Sequence, residues 1–101
     1  MYDEGMSVSQ DDKTAVKWYT LAAEQGDASA QNNLGAMYGN GEGVLQDYVR
    51  AHMWWNIAAS SAGDKNAIAN RDKVAGMMTP SQIAEAQKLA RECVRKKYKD
   101  C

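Results

Sequence analysis

The sequence predicts an all-α chain built from repeated antiparallel helix pairs, and three observations carry that prediction. The first is composition. The 101 residues include 16 Ala, eight Gly and one Pro, which joins the best helix former to turn-forming glycines. The second is self-similarity at a spacing of 36 residues. The third is that the repeated apolar positions recur at helical spacing. Leu, Ile, Val and Phe number only 13. That shortage suits disorder only where net charge is high, and the net charge here is −1. Ala, six Met, five Tyr and three Trp supply the apolar surface instead.

In the frame of 36, Tyr2 falls on Tyr38, Gly5 on Gly41, Val8 on Val44, Gln10-Asp11 on Gln46-Asp47 and Ala15 on Ala51. Trp18-Tyr19 falls on Trp54-Trp55, and Ala22-Ala23 on Ala58-Ala59. One inserted residue shifts the frame to 37, and Gly26-Asp27 then falls on Gly63-Asp64 and Ala30 on Ala67.

Each element follows from its residues. A helix is expected from Ala28 to about Tyr38, with Ala30, Leu34, Met37 and Tyr38 at helical spacing. Gly39-Asn40-Gly41-Glu42-Gly43 breaks it, with three glycines to supply positive φ. Asp47 suits an N-cap or a first-turn anion for the next helix. Ala51, Trp54, Trp55, Ala58 and Ala59 are its inner stripe, and Gly63 is its left-handed C-cap. Asn66 to Ala75 reads as a further helix. Thr79, Pro80 and Gln82 form a capping box with Pro at N1. They open a last helix that runs to about Lys97, with Ile83, Ala86, Leu89, Ala90, Cys93 and Val94 inward.

Asn33-Leu34-Gly35-x-Met37-Tyr38, Gly41-x-Gly43-Val44-x-Gln46-Asp47-Tyr48, Ala51, Trp54-Trp55, Ala58-Ala59 and Gly63-Asp64 together resemble the Sel-one-like repeat (SLR), a relative of the tetratricopeptide repeat. The resemblance covers roughly residues 1–68. It implies a right-handed α/α solenoid (superhelix), and the divergent last helix from Pro80 reads as the helix that caps it. It also implies a non-catalytic scaffold or adaptor, abundant in bacteria, that binds a protein or peptide on its concave face. The chain then divides into a partial first repeat (1–27), a complete repeat (28–64) and a divergent helix pair acting as cap (65–101). Met1-Tyr2 corresponds to the end of a first helix. The open N-terminal face suits either a fragment of a longer array or homo-association.

By the same resemblance the first helix of each unit lines the concave face. That places Ser29, Asn32, Asn33, Ala36 and Asn40 there, with Asn66, Ala69, Asn70 and Lys73 at the matching positions of the divergent unit. Unburied Asn can both donate to and accept from a peptide backbone. The dicarboxylate clamp of some tetratricopeptide domains is not reproduced, because Ala36 takes the place of a required polar residue. Cysteine-rich relatives have been linked to β-lactam binding, but they carry a cysteine pair per repeat, and residues 1–68 hold no Cys.

Other chemistry is weakly signalled. His52, the only His, has no ligand-spaced Cys, His or Asp around it and lies one residue off the buried stripe, so exposure is expected. Trp18, Trp54 and Trp55 are expected in the core, with Trp54 at its edge the one placed to stack a ligand. The glycine loop lacks the Lys-Ser/Thr of a phosphate loop. Asp11-Asp12 suit a helix start rather than acid–base work. No catalytic, metal or cofactor residue is assigned.

Residues 1–50 carry eight acidic and three basic groups, and residues 51–101 carry five acidic and nine basic groups. The basic run Arg91, Arg95, Lys96, Lys97 and Lys99 fits a helix C-terminus, or a dock for an acidic partner. The overall balance argues against nucleic acid, and no window reaches the ~18 apolar residues of a membrane span. Cys93 and Cys101 would lie about 12 Å apart along a helix. They can pair only if the tail unwinds after about Lys97, and a disulfide framework for the fold is not expected. Bacterial periplasm and cytoplasm both stay open.

Overall fold

The computed structural model describes residues 6–101, and five helices occupy most of them. They are α1 (Met6–Glu24), α2 (Ala28–Asn40), α3 (Tyr48–Ala62), α4 (Lys65–Ala75) and α5 (Pro80–Arg95). Strands are absent among the described residues. The Met1-Tyr2 position lies outside them.

Local capping sets the boundaries. Asp27, Asp47 and Asp64 each accept the backbone N–H three residues on, from Ala30 at 3.0 Å, Arg50 at 3.1 Å and Ala67 at 3.0 Å. Each such cap is worth about 1 kcal/mol. At α5 the capping box is complete: Gln82 N donates to Thr79 Oγ1 at 3.1 Å, and Thr79 N donates its hydrogen to Gln82 Oε1 at 2.9 Å. Gly41 and Gly63 end α2 and α3 in the left-handed conformation, with φ of 70° and 63°. Gly39, expected in the turn, is helical. A Cβ there would stand 3.1 Å from the Trp55 ring, so its smallness serves packing.

Helix α3 is the structural centre. It packs against α2, α4 and α5, whereas α1 packs chiefly against α2. Leu34, Met53, Trp54, Ile57, Ala90 and Cys93 form one core cluster; Ala51, Trp55, Ala58, Ala67, Val74 and Ala86 belong to the other. Large residues set against Ala allow the helices to approach closely.

Several expectations are corrected. His52 is buried, at 3% exposure, because α3 has neighbours on three sides and no free flank remains one residue off the stripe. Trp18 is 62% exposed, because α1 lacks those neighbours. Trp54 is inside the core rather than at an edge open to ligand, and Val94, expected inward, is exposed. Asp11-Asp12 do not start a helix, since α1 already begins at Met6 and has no acid in its first turn. Helix α5 stops at Arg95, and Lys97, Tyr98 and Asp100 take positive φ. The tail therefore unwinds just before the point the spacing requires. Cys93 and Cys101 come within 5.5 Å (Cα to Cα) and form a disulfide.

Candidate functional site

Helices α2 and α4 flank α3 with little direct contact between them. The gap between their C-terminal halves is a groove of about 330 Å³. Ala36, Gly39 and Asn40 of α2 form one wall, and Asn70, Lys73 and Val74 of α4 form the other. Trp55 and Tyr48 of α3 contribute from beneath, while Gln46 and Met77 close the end.

The floor depends on glycine. A Cβ on Gly35 would lie 2.7 Å from Trp55 Nε1, so the Leu-Gly pair of the repeat lets the indole press against α2. The indole Nε1 in turn donates to the Asn32 carbonyl at 3.0 Å. Asn70 Nδ2 donates to Asn32 Oδ1 at 3.2 Å, which ties the two walls together. Gln46 Nε2 donates to Gly39 O at 3.0 Å and holds the loop to the end of α2. Among the described residues that line the groove, Lys73 alone is charged. The arrangement offers amides, an aromatic floor and one cation to an incoming chain.

The sequence-assigned residues separate into two groups. Asn40, Asn70 and Lys73 meet at the groove, with Asn32 half-buried beneath as a bridge. Ser29 and Asn66, near the starts of α2 and α4, are exposed and do not line it, and neither does exposed Asn33. Tyr48, Gln46, Val74 and Met77 were not among the assigned residues. Tyr48 and Gln46 stood in the repeat motif, but Met77 had no periodic signal. Another unassigned residue, Gln31, is fully buried and donates through Nε2 to Ala23 O at 3.2 Å, while its Oε1 has no partner among the described residues.

His52 is held below its ordinary pKa of 6.5, first by burial and second by the Arg71 charge, against an opposing pull from Asp72. Its Nδ1 has no hydrogen-bond partner among the described residues. Groups of three or more His, Cys, Asp or Glu placed to hold a metal are absent among the described residues. Among those residues, too, no helix is long and apolar enough to cross a membrane.

Stacked helix pairs around a shared core, with a groove between alternate helices, define an α/α helical-repeat protein. The Sel1 repeat profile matches residues 1–27 and 28–62, and the chain belongs to the Sel1 repeat family, whose members typically serve as protein–protein interaction modules. Among solved structures it is similar to a protective antigen of uropathogenic Escherichia coli strains that displays an SLR fold, at 30% identity and a TM-score of 0.81. That likeness covers 86% of this chain and 20% of the antigen, so the chain spans about a fifth of its length. The comparison with curated proteins finds no match.

Proposed function

We propose that the chain is a non-catalytic adaptor that binds an extended peptide or partner helix in the α2–α4 groove, the concave face by analogy with tetratricopeptide arrays. The observation that carries this reading is the meeting of Asn40, Asn70 and Lys73 over Trp55 and Tyr48 in one preformed groove. Amides suit an incoming backbone, Lys73 an acidic group, and the aromatic floor an apolar side chain. The Asn70–Asn32 hydrogen bond keeps the walls in place before binding, which lowers the ordering cost. In the same proposal residues 65–101 cap an array that opens with a partial repeat (1–27) and a complete one (28–64).

The test is selection of a peptide from a random library on the immobilised chain, followed by fluorescence anisotropy. The triple substitution Asn40→Ala, Asn70→Ala, Lys73→Ala is expected to weaken binding tenfold or more, about 1.4 kcal/mol. Asn66→Ala, outside the groove, is expected to leave it unchanged. Undiminished binding by the triple variant overturns the assignment. A second reading, self-association, is favoured by the exposed Trp18 and Leu21 on α1. A molecular mass that stays monomeric across a concentration series removes it.

A further inference from the structure

The six residues after α5 do not trail into solvent. The chain turns back at Lys96, and Tyr98 N donates to Cys93 O at 2.8 Å. The Tyr98 ring lies against Gly26, where an added Cβ would be 3.5 Å away. Tyr98 and Cys101 both pack on the core cluster that holds Met53 and Cys93. Lys96 Nζ donates to Asp100 O at 3.1 Å, and the Arg50 guanidinium of α3 donates to Cys101 O. The Cys93–Cys101 disulfide closes the turn.

Three of these residues, Lys97, Tyr98 and Asp100, hold positive φ without being glycine. Such backbone is unfavourable for residues with a Cβ and persists only where surrounding contacts impose it. A hollow of about 130 Å³ lies beneath the tail, walled by Met53, Leu89 and Cys93, with Arg50 and Lys96 at its rim. The two sulfurs differ in access: Cys93 is 1% exposed, while Cys101 is only partly buried.

We infer that residues 96–101 form a redox-sensitive strap: the Cys93–Cys101 disulfide holds the tail across the α3–α5 seam, and a dithiol reductant releases it. The more accessible of the two cysteines, Cys101, directs the chemistry. A reductant thiolate attacks Cys101 Sγ, the Sγ–Sγ bond breaks, and Cys93 leaves as a thiolate that takes up a proton. The second thiol of the reductant then attacks the mixed disulfide and frees Cys101. The protein pair gains two electrons and two protons, and the reductant ends as its own disulfide. Once released, the tail no longer holds its positive-φ turn, and the Met53–Leu89–Cys93 hollow opens. The closed strap is the form for an oxidising compartment, because reducing cytosol keeps such thiols apart. This inference stands independently of the peptide groove.

The experiment uses the full chain, incubated with oxidised glutathione and divided into untreated and dithiothreitol-reduced halves. Iodoacetamide added after unfolding in urea, which brings both sulfurs into solvent, is expected to add nothing to the oxidised half. Limited trypsin digestion is expected to cut at Lys96, Lys97 or Lys99 about tenfold faster or more in the reduced half. The Tm is expected to fall by about 10 °C on reduction. Cys101→Ser, which leaves buried Cys93 in place, should behave as the reduced chain with or without dithiothreitol. Arg50→Gln, which keeps the disulfide, should shift trypsin cutting far less. Two alkylatable thiols after oxidation overturn the inference. So do equal cutting rates and Tm in the two halves, since the hydrogen bonds and Tyr98 would then hold the tail unaided.

Discussion

Trp18 and Leu21 stand 36 residues before Trp54 and Ile57, yet the first pair is 62% and 47% exposed and the second 3% and 1%. The residue types and spacing are nearly the same. What differs is the company: α3 is packed by α2, α4 and α5, and α1 chiefly by α2. In a stacked-repeat protein, burial depends on neighbours as well as on the motif. The largest expected effect tests this directly. Trp54→Ala should cost about 3–5 kcal/mol, by loss of transfer energy and by the cavity left behind. Trp18→Ala should cost within roughly 0.5 kcal/mol, as for other surface changes. Urea melts of both variants measure the contrast, and a Trp18→Ala cost near that of Trp54→Ala would mean that the α1 face is covered in solution.

A second contrast concerns Trp55, whose counterpart in the first unit is the smaller Tyr19. The larger ring is accommodated by Gly35, where a Cβ would lie 2.7 Å from Nε1. Gly35→Ala is therefore expected to displace the indole and strain its bond to Asn32 O. Overpacking costs about 1–3 kcal/mol, offset in part by the ~1 kcal/mol helix preference of Ala over Gly. The net loss should be accompanied by a changed Trp fluorescence spectrum. A stabilised variant with an unchanged spectrum would show that the indole does not need the glycine.

The third contrast pairs Asp47 with Asp11. Asp47 caps α3, whereas Asp11 lies inside α1, five residues beyond its start at Met6. Asp47→Ala should cost about 1 kcal/mol. Asp11→Ala should be neutral or stabilising by a few tenths, since Ala is the better interior residue. Equal costs in thermal melts would place a cap at Asp11 and shorten α1.

These contrasts mark what the sequence made legible and where it stopped. The capping of α3 and α5 is local chemistry within four residues, and Asp47, Thr79, Pro80 and Gln82 announced it; the Asp64 cap of α4 is equally local but stood in the sequence only as a repeat match to Asp27. The groove was partly legible. Asn40, Asn70 and Lys73 could be placed by repeat position, but the lining by Met77 depends on how the turn before α5 is set. Ser29 and Asn66 share a helix face with groove residues yet lie near the other end of the helices, and a face assignment does not specify how far along the axis a groove extends. His52 and Trp18 depart from the periodic expectation for one reason: periodicity identifies a stripe but not the number of helices that will cover a cylinder. The disulfide depended on where α5 ends, a boundary set by tail contacts to Arg50 and Gly26 that lie far away in sequence.

His52 provides the last and smallest test, because its counterpart in the first unit is Val16, a half-buried residue packed on the core. The second unit thus places a titratable ring where the first has a branched aliphatic side chain. Burial and the Arg71 charge depress the folded-state pKa of His52 below 6.5. The unfolded chain therefore binds a proton at His52 more readily than the folded chain does. Its neutral form is fully compatible with the fold above about pH 6.5, and the associated stability is lost as pH falls through 6.5 toward the depressed folded value. Urea melts between pH 7.5 and 5 should show wild-type stability declining over that window. His52→Val, which restores the first unit's residue, should flatten the part of the slope due to this group while removing the unpartnered Nδ1. If both proteins lose stability in parallel, the ring is not held neutral by its surroundings, and the two units differ at this position in shape alone.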